Sequence, residues 1–256
     1  MQLCLGIGTE SGASLQEQAD AAVGAGFRWL DLRVLTLDAY LAHYPSVLLA
    51  SLLQERGLPV GMVSGLPPLP VGGRPALRAG HESFLLYQAH LLSLCTDLDA
   101  LGGGTILVPV PQPVGESPFP SPVERALRTL ADLAAPFEAR LAATPLPDEN
   151  AKGGIEDVAA VVERVKRPNL GLGLDVSEGV IPAPIPAPAA GKMWAVRLGT
   201  AGWIEGNKSQ LCALCADLVA AGFNGPCSIA PAPGATSIGA RARAAMHIAA
   251  ETIQKS

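Results

Sequence analysis

Eight short apolar runs, most bounded by glycine or proline, recur along the chain and alternate with stretches of helical periodicity. The runs cover residues 3–8, 27–32, 59–64, 105–110, 140–144, 170–175, 193–198 and 226–230. The helical patterns cover residues 14–26, 37–57, 76–100, 122–139, 154–167, 208–222 and 238–255. Runs of this length are strand-sized, and the longer amphipathic stretches between them are helix-sized. Strands separated by helices must lie parallel, because a parallel pair needs a long crossover where an antiparallel pair needs only a turn. Eight such units within 256 residues predict an α/β chain folded as a single (β/α)8 barrel over residues 1–256, in preference to an open doubly wound sheet.

Helix ends carry their own chemistry. Ser14 stands three residues before Glu17 at the start of the first amphipathic stretch, a capping-box spacing, and Gly24 and Gly26 sit where that helix must stop. Ser121-Pro122-Val123-Glu124 repeats the box with proline at the first helical position. Gly102-Gly103-Gly104 precedes the fourth strand, so it reads as a helix-ending turn and not as a phosphate cradle. One unit departs from the pattern. Between the sixth and seventh strands, prolines at positions 182, 184, 186 and 188 forbid a regular helix, so a Pro-rich loop is predicted to replace the sixth helix.

Composition narrows the function classes. Eighteen basic against 23 acidic residues give a formal charge of −5, a field that repels phosphate backbones and anionic lipid, so no nucleic acid or membrane partner is expected. The opening Met1-Gln2-Leu3-Cys4 lacks the basic start of a signal peptide. Five scattered cysteines, an odd number, fit reduced buried thiols, and the expected location is cytoplasmic. Cys212 and Cys215 form a Cys-x-x-Cys inside an apolar helical run, where packing is the simpler reading than redox or zinc chemistry. His43, His81, His90 and His247 lie in helical segments, away from strand ends.

In such a barrel the residues at the C-terminal ends of strands face the site, and alternation along each strand selects which point inward. Strand by strand this gives Glu10, then Asp31 with Arg33, Ser64, Gln112, Thr144, Asp175 with Glu178 beyond it, Arg197 with Thr200, and Ala230. Gly171, Gly173 and Asp175 share one face of the sixth strand, and Leu170, Leu172 and Leu174 share the other. Asp175 is therefore predicted to point inward, with the leucines under the helices. In the loops, Trp203 and Glu205 suit stacking on and hydrogen bonding to a sugar-like ligand, and Ser237 suits either an anion contact at a helix start or an ordinary cap.

Gly6-Ile7-Gly8-Thr9, the segment Ala25-Gly26-Phe27-Arg28-Trp29-Leu30-Asp31-Leu32-Arg33, Arg140-Leu141-Ala142-Ala143-Thr144-Pro145-Leu146, Arg167-Pro168-Asn169-Leu170-Gly171-Leu172-Gly173-Leu174-Asp175 and Gly222-Phe223-Asn224-Gly225 together resemble the xylose-isomerase-like barrels. That family comprises sugar and sugar-phosphate isomerases and epimerases, inosose dehydratases and related lyases. The resemblance implies a divalent cation held by Glu, Asp, His and Glu at the ends of the fifth to eighth strands. Here those places carry Thr144, Asp175, Arg197 and Ala230. A guanidinium cannot ligate a metal, so the expectation is a barrel without the family's metal and without another cofactor.

The resemblance then implies an isomerase- or epimerase-like protein binding a small polyhydroxylated or keto substrate at the barrel mouth. The expected catalytic set is Arg197 as electrostatic anchor, Asp175 orienting it, and Glu178 as base, with Glu10 and Asp31 as other bases within reach. Glu10, Asp31, Arg33, Ser64, Thr144, Trp203, Glu205 and Ser237 form the expected substrate-binding set. Alternatives stay open at this point: a structural ion pair at Asp175 and Arg197, a self-satisfied Asp31 and Arg33, a metal held by Glu149 or Glu178 with Asp175, and a barrel with no turnover at all. Assembly into a homo-oligomer is also left open.

Overall fold

The computed structural model describes residues 1–8, 12–70, 79–111, 121–146, 154–176, 192–200, 204, 206–231 and 237–254. Eight parallel strands close into a barrel in sequence order: β1 (Gln2–Ile7), β2 (Trp29–Arg33), β3 (Val60–Ser64), β4 (Thr105–Val110), β5 (Arg140–Pro145), β6 (Leu170–Asp175), β7 (Met193–Thr200) and β8 (Pro226–Ala230). β8 pairs back on β1, with Cys4 opposite Ser228. Helices follow outside: α1 (Leu15–Ala25), α2 (Val34–Leu41), α3 (Ser46–Glu55), α4 (Ala79–Ala100), α5 (Pro122–Ala134), α6 (Ile155–Val165), α7 (Lys208–Ala220) and α8 (Ile238–Gln254). The predicted Pro-rich loop spans residues that lie outside the described ones.

Two apolar layers hold the barrel. Outward-facing strand residues such as Leu170, Leu172 and Leu174 join the large core beneath the helices. Inside the barrel, a smaller cluster of Met62, Leu107, Ala142 and Ala195 packs with Trp194. Glycine on β6 makes room for this filling: a Cβ on Gly171 would stand 2.3 Å from the Trp194 ring. The inward face of β6 therefore carries no bulk below Asp175.

The capping signals form as their spacing predicts. Ser14 and Glu17 bond reciprocally at the start of α1, and Gly26 ends that helix at φ 93. Ser121 and Glu124 do the same at α5, where Glu124 is buried and meets Arg164 of α6 at 2.5 Å. The single helical stretch expected over residues 37–57 is instead two helices. Pro45 starts α3 from an extended conformation at ψ 151, because proline carries no N–H to continue α2 and disfavours helical backbone in the residue before it. Similarly, α5 stops at Ala134 and a 3-10 turn covers Ala135–Phe137, where Pro136 interrupts the expected run to residue 139.

Candidate active site

Side chains from four strands meet inside the C-terminal half of the barrel. Asp175 ends β6 and lies beside Arg197 of β7 in register. Arg197 Nη1 donates a hydrogen bond to Asp175 Oδ2 at 3.0 Å, and the two side chains are 11% and 27% exposed. On its other edge, Arg197 Nε stands 3.9 Å from Oδ2 of Asp31 on β2, whose side chain is wholly enclosed. Ser228 of β8 completes the group, its Oγ donating to Asp31 Oδ2 at 2.6 Å.

These contacts cross the barrel lumen, which requires space over the strand between. β1 lies between β2 and β8, and Gly6 faces Asp31 in register. A Cβ on Gly6 would come within 3.4 Å of Ser228 Oγ and 3.3 Å of the Ala230 backbone. Its absence leaves the Asp31 and Ser228 side chains free to meet above β1. The guanidinium thus sits between two carboxylates from opposite sides, one open to the mouth and one sealed beneath.

Burial raises the Asp31 carboxyl above its ordinary pKa. Arg197, the Ser228 hydrogen bond, the nearby Ser64 hydroxyl and, least, Arg33 all pull the other way without overcoming it. Asp31 Oδ1 has no hydrogen-bond partner among the described residues, and neither do the buried hydroxyls of Ser64 and Thr144. Ser64 Oγ favours the charged carboxyl by its closeness, short of a hydrogen bond of normal geometry. Ser64 and Thr144 follow the inward Met62 and Ala142 by two residues, so alternation aims both into the lumen.

The remaining candidates separate from this centre or fall elsewhere. Arg33 is the last residue of β2, beside Ser64 in register. Gly65, at φ +86, leaves room for it: a Cβ there would meet Arg33 Nε at 3.2 Å. Ser237 is exposed and accepts from the Ala240 N–H at 3.4 Å, the geometry of a cap on α8. Glu10, Gln112, Glu149, Glu178, Trp203 and Glu205 lie outside the described residues. Ser228 was not among the expected site residues, because Ala230 at the strand end drew the reading of β8. Its signal was the same alternation, two residues earlier.

Features that invite a redox or metal reading sit away from the mouth. All five cysteines are free thiols. Burial pushes Cys215 up to about 12 and Cys95 up to about 11, which keeps both unreactive. His90 pairs with Asp38 at 3.2 Å and His247 faces Glu251 at 3.6 Å, both on the helical shell. Among the described residues, no three His, Cys, Asp or Glu side chains are placed to share an ion. No described helix is long and apolar enough to cross a membrane.

No protein-family model matches the chain, and no curated protein matches it in sequence. Solved structures do match over nearly the whole length. The chain is similar to a xylose isomerase domain protein from Alicyclobacillus acidocaldarius, at 19% identity and a TM-score of 0.70, covering 100% of this chain and 99% of that one. It is similar to the IolI protein with a bound zinc atom, at 15% identity and a TM-score of 0.74, again covering 100% and 99%. It is also similar to D-psicose 3-epimerase with D-tagatose from Clostridium cellulolyticum H10, at 14% identity and a TM-score of 0.71, covering 99% of each chain. Similarity at this level of identity reports architecture, and the architecture is a (β/α)8 barrel.

Proposed function

We propose that the protein is a sugar or sugar-phosphate isomerase- or epimerase-like barrel that works without a divalent metal and binds a small polyhydroxylated or keto substrate at the C-terminal mouth. The observation that carries this reading is the position of Arg197, in contact with Asp175 and within ion-pair reach of Asp31. The donor set does not suit a metal: Asp175 Oδ2 already accepts from Arg197, Thr144 offers a hydroxyl, and Ala230 offers no side-chain donor. A fixed guanidinium in that place holds positive charge where a substrate carbonyl, enolate or carboxylate would lie. Support for the substrate class comes from the neighbouring folds, which include an L-ribulose 3-epimerase and a 3-keto-D-glucoside 4-epimerase.

In this reading Arg197 anchors the substrate, Asp175 orients Arg197, and Arg33, Ser64 and Thr144 supply polar contacts in the lumen. Proton transfer requires a base, and Glu178, three residues beyond Asp175, is the group assigned to it. A second reading is favoured by one observation: both carboxylates of the described site are engaged by the same arginine, which describes a binding pocket as well as it describes a catalyst. Thermal-shift screening with sugars, sugar phosphates and keto acids, in EDTA and in Mn²⁺, tests the proposal. A ligand that raises Tm equally in both buffers and is converted supports it. Stabilisation that needs Mn²⁺ contradicts it, and stabilisation without conversion favours the second reading.

A further inference from the structure

We propose that the outer face of α4 is a contact between two copies of this chain, with α4 of one copy crossing α4 of the other antiparallel about Ala89. Helix α4 spans 22 residues, and from Ser83 to Thr96 it carries no Asp, Glu, Lys or Arg. Its inner side belongs to the core, where Leu91, Leu94, Cys95 and Leu98 are buried. Its outer side would ordinarily carry charge on a shell helix. It presents Leu85, Leu86, Ala89, Leu92, Ser93 and Thr96 instead, all exposed. A helix that is apolar on both sides is one that ends up covered on both.

The apolar surface continues onto neighbouring helices. Of the nine large apolar side chains that are exposed among the described residues, seven lie on α2, on α3, in the turn between them or on α4. His90 of α4 reaches Asp38 of α2 at 3.2 Å, and α3 packs on α4. Leu86 stands one turn before His90 and Leu35 one turn before Asp38, at 73% and 68% exposure. Together the seven leave roughly 600 Å² of apolar surface in water, the upper end for a single chain and close to the about 800 Å² that each partner buries in a standard interface.

The layout of the face points to a second copy as its cover. Leu85 and Leu86 lie on one side of Ala89 at the same helical steps at which Leu92 and Ser93 lie on the other. An antiparallel two-fold about Ala89 therefore sets Leu86 against the partner's Leu92 and Leu85 against the partner's Ser93. Glu82 then falls opposite the partner's Thr96, so no like charges meet. The small side chain at the crossing lets the two backbones approach to the about 8 Å of close-packed helices. A lipid surface fits less well, because α4 has no Lys or Arg along its length to hold anionic headgroups.

Sedimentation velocity on the whole protein at micromolar concentrations tests this without a ligand. The wild type is expected at twice the chain mass. Leu86→Glu should weaken association at least about tenfold, since its carboxylate would be buried without a partner, whereas Val23→Glu on α1 should leave it unchanged. The crossing point is read separately, in a Cys212→Ser background where the remaining native thiols are buried. There Ala89→Cys should form a disulfide-linked dimer under mild oxidation, because a residue at the two-fold axis brings the two Cβ atoms within the roughly 4 Å that the bond requires. Thr96→Cys should stay unlinked. Ala89→Cys is a small change at an exposed position, so it decides even if Leu86→Glu fails to fold. A wild type that remains monomeric, a dimer that Leu86→Glu leaves intact, or an Ala89→Cys protein that does not link would overturn the proposal.

Discussion

Arg197 is the centre of the described polar group: a permanent cation, nearly buried, between a partly exposed Asp175 and a wholly enclosed Asp31. The sealed acid leaves a mark on stability. Its folded pKa is raised by burial, so the folded state binds the proton more tightly than the unfolded chain does. Asp31 therefore destabilises the fold above its raised pKa, and this penalty fades as pH falls towards the ordinary aspartate value of about 3.9. Comparing Tm of wild type and Asp31→Asn as pH is lowered from neutral towards that ordinary value should show the wild type gaining on the variant. A gain as pH rises would contradict the assignment. At Gly171 the expectation is steric: an added methyl meets the Trp194 ring at 2.3 Å, and Gly171→Ala should lose about 1–3 kcal/mol in urea unfolding.

Elements were legible where their signals are local. The capping boxes at Ser14 and Ser121 and the stop at Gly26 depend on residues three or four apart, and the sequence carries these directly. The prolines at 45 and 136 mark real breaks that periodicity alone ran through. Alternation singled out Asp175, which meets Arg197 of the neighbouring strand, yet it could not show that Asp31 and Ser228 meet, since 197 residues separate them and only barrel closure brings β8 beside β1. The tie between α5 and α6 gives an element-scale prediction. Ser121→Ala removes the cap and loosens Glu124, which also holds Arg164, so it should destabilise the fold by about 1 kcal/mol or more in chemical denaturation. Thr129→Ala, on the same helix with an exposed hydroxyl bonded only to its own helix, should change stability far less.

At the scale of the whole molecule, eight parallel strands close a barrel similar in fold to the zinc-bound IolI protein and to D-psicose 3-epimerase. The scaffold explains why substitutions under the helices act on stability, whereas those at strand ends act on binding. The account stands on Arg197 serving as the fixed cation of the barrel mouth. Isothermal titration of wild type and Arg197→Ala, using the compound that most raises the wild-type Tm and with EDTA throughout, measures this directly. Loss of a charge-assisted contact predicts at least about a tenfold weaker Kd in the variant. Equal affinity in the two proteins would contradict the claim.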